Sequence, residues 1–170
     1  MPNWVYNSVS VVGKKKRVEE FREKHFTSEE KDPVDGLQGR EEFDFNTIIP
    51  MPETVFRGNL GTKEREIHGS NNWYDWSIEN WGTKWNAGNT QLHSDKIRVQ
   101  KGVAVLEFMF DTAWSLPEPI YEKLAEMYPD LCITVNFDEE GMAFAGELEI
   151  TNGKIKHYAR DPMEGIEEEE

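Results

Sequence analysis

Along this chain the hydrophobic period switches repeatedly between two residues and about 3.6, and that switching restricts it to a mixed architecture of strands and helices. Residues 4–12 alternate, with Val5, Val9 and Val11 on one face, and read as a strand that Gly13 ends. Residues 14–26 follow helical spacing, with Val18, Phe21 and His25 on one side. Residues 27–40 hold Pro33, Gly36 and Gly39 and read as a loop. Residues 43–49 are expected to form a second strand, stopped at Pro50-Met51-Pro52 because proline cannot donate to a central ladder. Residues 103–111 are apolar enough for a buried strand. Ser115-Leu116-Pro117-Glu118 has the form of a capping box and opens a helix with Ile120, Leu124 and Met127 on one face. Leu131, Ile133, Val135 and Phe137 then alternate, and Asp138-Glu139-Glu140-Gly141 makes a turn in which Glu139 and Glu140 are expected to be solvated. Residues 142–150 return as a strand, and Asn152-Gly153 signals a hairpin into a short last strand.

This order predicts an α+β fold. It is a ferredoxin-like split βαβ arrangement, an antiparallel sheet with helices on one face and a C-terminal hairpin extension. A long helical insertion at about residues 52–101 interrupts it, too long for a simple connection. Within it, residues 62–81 read as helical, with a possible break at Gly69 and an end at Gly82. Residues 1–160 are expected to form one domain, followed by an acidic, disordered tail at 161–170 that ends in four glutamates.

The net charge of −14 argues against direct binding to nucleic acid or anionic membrane, which needs clustered Lys and Arg. It leaves two readings, a solvated surface or carboxylates that imitate a phosphate backbone. The Lys14-Lys15-Lys16-Arg17 cluster is read as a solvated first helical turn, against a local anion site. No stretch approaches the roughly 18–20 apolar residues of a membrane span, and the start of the chain lacks signal-peptide features, so a cytoplasmic location is expected. Cys132 is the only cysteine, which excludes an internal disulfide or thiolate cluster. The four histidines show no zinc spacing, and no phosphate loop, nucleophile elbow or HExxH motif is present. No cofactor, metal or catalytic constellation is therefore assigned, and a non-enzymatic protein is expected.

The densest segment runs from Asn72-Trp73-Tyr74-Asp75-Trp76 to Glu79-Asn80-Trp81-Gly82-Thr83-Lys84-Trp85. On a helix Tyr74, Ile78 and Trp81 share one stripe, while Trp73 and Trp76 lie on another side. The segment either packs the insertion onto the core or presents Trp73, Trp76 and Trp85 to a partner, since tryptophan is enriched at binding hot spots. Candidate partner-binding residues are Trp73, Asp75, Trp76, Glu79, Trp81, Lys84, Trp85, Asp111 and Trp114. A rival reading uses Asp75, Glu79 and Asp111 as a small-molecule or hydrolase site, if they converge on a Trp wall.

Several strings together resemble a known family. They are Pro2-Asn3-Trp4 with Asn7, Ile48-Ile49-Pro50-Met51-Pro52, the Trp-rich string above, Phe110-Asp111-Thr112-Ala113-Trp114-Ser115, and Glu139-Glu140-Gly141-Met142-Ala143-Phe144-Ala145-Gly146. The chain resembles the YubB-like family of phage- and plasmid-borne proteins, described as having a ferredoxin-like domain. It departs at Val5 and Ser77, where Cys is expected, and at Leu116, where Pro is expected. These departures argue against metal or redox roles there. The resemblance implies the ferredoxin-like fold and a mobile-element origin, and supplies no catalytic residues. The expectation is a non-enzymatic interaction protein acting on a host protein or complex. The alternative is an acidic nucleic-acid mimic that inhibits a host defence complex of the anti-CRISPR or anti-restriction type.

Overall fold

Alternation makes Trp4–Lys14 a strand, β1, with Val5, Asn7, Val9 and Val11 buried on one face and Tyr6, Ser8 and Ser10 turned to the other. The computed structural model describes residues 2–28, 41–93, 97–139, 141 and 144–160. Gly13 does not end β1. It stays in the strand, where a Cβ would lie 2.4 Å from the Leu131 side chain. Helix α1, Lys15–His25, follows at once and buries Val18, Phe21 and His25. Its basic start is balanced locally, Arg17 pairing with Glu20 at 2.8 Å and with Asp130 at 2.7 Å. The guanidinium holds the Asp130 carboxyl below its usual range.

The expected strand at 43–49 does not form. β2, Phe26–Ser28, and β3, Glu41–Phe43, make a separate two-stranded sheet. Asp44 then accepts a bond from the Asn46 amide at 2.9 Å and caps a single 3-10 turn, Phe45–Thr47. Phe43, Phe45 and Ile48 are all buried, so the segment is apolar because it plugs the core and not because it alternates. The second strand of the fold is instead β4, Gly88–Leu92, in which only Thr90 is buried. The insertion thus lies between α1 and β4, at 26–87 rather than at 52–101. It carries α2, Thr62–His68, and α3, Trp73–Trp81. Gly69 (φ 56°) breaks the helical run and Gly82 (φ 75°) ends it, both in the left-handed region that favours glycine.

The rest of the chain gives β5, Arg98–Gln100, β6, Val103–Ala113, α4, Glu118–Met127, β7, Cys132–Glu139, β8, Ala145–Thr151, and β9, Lys154–Arg160. The main sheet runs β4-β6-β1-β7-β8-β9, with β5 also on β6, and every pairing is antiparallel. β6–α4–β7 straddles β1, and β1–α1–β4 straddles β6. These are the two interlocked split βαβ units of a ferredoxin-like sandwich, with β8–β9 as the extension. Val18, Phe21, Ile120 and Leu124 from the helices meet Val9, Val11, Leu106, Phe108, Ile133 and Leu148 from one sheet face in a single core. The insertion adds Phe43, Phe45, Ile48 and Trp81 to that core.

Two local expectations fail. The capping box is not made, since Pro117 is the cap of α4 and the Ser115 hydroxyl donates to the Gly82 carbonyl. Glu139 is buried at the end of β7 instead of solvated. The tail at 161–170 lies outside the described residues.

Candidate functional site

Helix α3 starts at Asn72, a buried residue whose side chain accepts from the Asp75 amide at 2.9 Å and donates to Asp75 Oδ2 at 2.6 Å. Asp75 is thereby engaged in starting the helix, where its charge also suits the dipole. Glu79, one turn on, is exposed. Asp111 is on β6, where it accepts from Asn89 Nδ2 at 3.1 Å. Asp75, Glu79 and Asp111 thus stand in separate settings, and none lines the cavity described next.

The aromatic stripe also divides differently from the one expected. Trp81 is 3% exposed and its indole N–H donates to the Ile49 carbonyl at 2.8 Å. Trp76 packs edge-on against it at 5.1 Å and belongs to the rim of the core. Ile78, placed on the same stripe from sequence, is 44% exposed. Ser77 is the buried neighbour of Trp81 instead, its hydroxyl returning to the Trp73 carbonyl.

Past Gly82 the chain is fastened to the end of β6. Thr83 Oγ1 donates to the Ala113 carbonyl at 2.8 Å. Trp73, Trp81, Lys84 and Trp85 here line a concavity of about 270 Å³, together with Met51, Arg57 and the polar side chains of Asn46, Ser77 and Asn86. Four of the nine residues expected from the sequence therefore converge. Lys84 Nζ lies 4.5 Å from the Trp85 ring centroid and 5.9 Å from that of Tyr74. The Trp85 ring meets Trp4 at 5.9 Å.

Trp114, just beyond Ala113, is 53% exposed and has φ 72°. A bulky residue in the left-handed region is costly, on the order of 1–3 kcal/mol. Surrounding bonds fix it. The Trp114 amide donates to the Asn3 carbonyl at 2.9 Å, and Thr112 Oγ1 donates to the Ser115 carbonyl at 2.8 Å. Asn7, fully buried, donates to Thr112 Oγ1 at 3.2 Å and accepts from Tyr121 Oη at 2.6 Å. Burial raises the Tyr121 pKa, which keeps this chain of bonds in its neutral form.

Sequence reasoning missed Asn46, Arg57 and Trp4. Asn46 sits in the 3-10 turn and Arg57 in irregular backbone, both of which reach the site only through the fold, and no local pattern marks them. A larger concavity, about 630 Å³, lies between the start of α4 and the C-terminal hairpin, with Glu118, Phe137, Phe144 and His157 on its walls and none of the nine expected residues. Among the described residues carboxylates stand on both layers, Glu118, Glu122 and Glu126 on α4 and Asp138, Glu147 and Glu149 on β7 and β8. Among the described residues no group of three or more His, Cys, Asp or Glu could hold a metal ion. No helix among them is long and apolar enough to cross a membrane.

The strand order and the helices on one face define a ferredoxin-like domain. The model of a family described as "Ferredoxin-like domain in Api92-like protein" matches residues 80–170, more than half of the chain, and the chain belongs to that family. The match takes in β4 to β9 but neither β1 nor α1. The crystal structure of the protein api92 from Yersinia pseudotuberculosis has the same fold, with a TM-score of 0.51 at 17% identity, covering 78% of this chain. The chain spans about half, 48%, of that structure's length. No curated protein matches the chain.

Proposed function

We propose that this chain is a non-enzymatic interaction protein of phage or plasmid origin. It engages a host protein or complex in the bacterial cytoplasm through the rim formed by Lys84, Trp85 and Trp114. The observation that carries this reading is Trp114, a large apolar side chain held mostly in water on a left-handed backbone. Folding alone favours glycine at such a position. A tryptophan there implies a use outside the fold, and an exposed indole suits a binding anchor. The mobile-element origin rests on the YubB-like strings, several of which meet at this rim: Asn3-Trp4, Lys84-Trp85 and Ala113-Trp114-Ser115.

Trp114→Gly separates the two roles. It is expected to leave stability unchanged or to raise it by up to about 1 kcal/mol in urea unfolding, because the strain is relieved. Capture of partner from an extract of the bacterial host is expected to drop by about tenfold or more, equivalent to about 1.4 kcal/mol. A loss of more than about 2 kcal/mol of stability would mark Trp114 as a packing residue. Undiminished capture would also sink the reading. Retention of a nuclease that salt releases steeply, independent of Trp114, would favour acidic mimicry instead.

A further inference from the structure

We infer that the cavity beside this rim receives an anionic group carried on an apolar body, which gives the partner surface proposed above a stated chemistry and rests on that proposal. Arg57 and Lys84 both line it, no Asp or Glu does, and neither cation has a carboxylate partner among the described residues. Arg57 is held by three backbone carbonyls, of Met51, Glu53 and Val55, at 3.1–3.3 Å, so its charge is fixed in place but not neutralised. Lys84 is held over the Trp85 and Tyr74 rings, which orient an ammonium without using its N–H groups as an acid would.

The acceptors on the walls are already occupied. Asn46 Oδ1 accepts from the Met51 amide at 3.0 Å, and Asn86 Oδ1 accepts from the amides of Phe45 and Ala87 at 2.9 and 2.8 Å. The indole N–H groups of Trp73 and Trp81 and the Asn86 amide are engaged as well, by the Gly58 and Ile49 carbonyls and by Asp44 Oδ1, so the charged donors left to the cavity are those of Lys84 and Arg57, and the apolar remainder is indole and thioether surface from Trp73, Trp85 and Met51. Donors with positive charge call for a carboxylate or phosphate, and the rings call for an apolar or planar body attached to it. The volume of about 270 Å³ suits one side chain or a small organic acid, not an extended polymer.

Benzoate, phenyl phosphate and the neutral isostere benzamide, titrated against the full chain and followed by the indole N–H resonances of Trp73 and Trp85, test this. The anions are expected to bind about tenfold tighter than benzamide, and Lys84→Gln, which breaks no ion pair, to remove that preference. A blocked Ala-Phe-Glu-Ala peptide and its Gln counterpart distinguish the sources. Tighter binding of the Glu peptide than of benzoate assigns the anion to a partner chain, and tighter binding of benzoate assigns it to a free acid. Equal affinity for benzoate and benzamide, or an unchanged preference in Lys84→Gln, overturns the proposal. Trp114→Gly is expected to keep benzoate binding, so loss of partner capture with intact benzoate shifts tells on the cavity and the rim separately.

Discussion

The two split βαβ units of this fold satisfy the same topology with opposite economies of chain. In β6–α4–β7 a few residues join each strand to the helix, and the helix buries Ile120, Tyr121, Leu124 and Ala125 over strands that are themselves rich in apolar side chains. In β1–α1–β4 residues 26–87 separate the helix from its second strand, and that strand buries only Thr90. The apolar contribution that β4 lacks comes from the insertion. Phe43 packs 4.9 Å from Phe108 and 5.0 Å from Phe110, and Phe45 meets Phe110 and Trp81. β3 is clasped to β4 by side chains, Thr90 Oγ1 accepting from the Phe43 amide at 3.0 Å and Glu42 Oε2 accepting from the Thr90 amide at 3.1 Å. A long insertion can thus act as part of the core when the strand it precedes is too polar to hold its own place.

The largest test of this comparison follows from where the family match begins. Residues 80–170 contain the whole of β6–α4–β7 but omit β1, which fills the gap between β6 and β7. Without it two central strands become edges, and the core loses Val9 and Val11. The isolated 80–170 segment is expected to show no cooperative melt by circular dichroism and no dispersed amide spectrum. A sharp thermal transition from that segment would mean the second unit is self-sufficient and the first an accessory.

A smaller effect compares one residue from each unit. Phe43→Ala, in the insertion, is expected to cost about 3–5 kcal/mol, in the range of the roughly 2–5 kcal/mol expected for Leu124→Ala on α4. Both side chains are about 1% exposed. Urea unfolding of the two variants checks the parity. A cost below about 1 kcal/mol for Phe43→Ala would return the insertion to the status of an attachment.

The same contrast explains what could be read from sequence. The β6–α4–β7 unit was legible because its strands alternate or run apolar, its helix repeats every three to four residues, and Asn152-Gly153 announces the hairpin. The first unit was legible only as far as His25. Phe43, Phe45 and Ile48 suggested a strand, but Asp44 caps a turn there, and an apolar run does not reveal whether it is extended or folded into a plug. β4 gave no signal because an edge strand with one buried Thr has no apolar period. Of the nine candidate residues, the sequence could mark the tryptophans as important but could not sort Trp76 and Trp81, which serve the core, from Trp85 and Trp114, which stand in water. That division depends on where Gly82 turns the chain and on the φ of Trp114, and neither is a property of spacing.

His25 sharpens the comparison further, because it joins the first unit's helix to the insertion and to the second unit at one point. It is fully buried, with Nδ1 2.8 Å from Thr47 Oγ1 in the 3-10 turn and Nε2 2.6 Å from Tyr128 Oη at the end of α4. Burial, with Lys24 adding repulsion, lowers its pKa to about 4. Arg17, stacked 5.1 Å over Tyr128, is a further cation on that side. The folded state therefore holds a neutral ring, while the unfolded chain takes up a proton near the ordinary value of about 6.5. Its contribution is complete above that value and is lost as pH falls from 6.5 toward 4. Between pH 7 and pH 5 the loss is expected to be on the order of 2 kcal/mol in urea unfolding. His25→Gln, which can still bond to both hydroxyls but cannot titrate, is expected to be nearly flat over the same interval. A slope in the variant equal to that of the native chain would show that the pH dependence arises elsewhere, and that the contact between α1, the insertion and α4 carries no proton-linked energy.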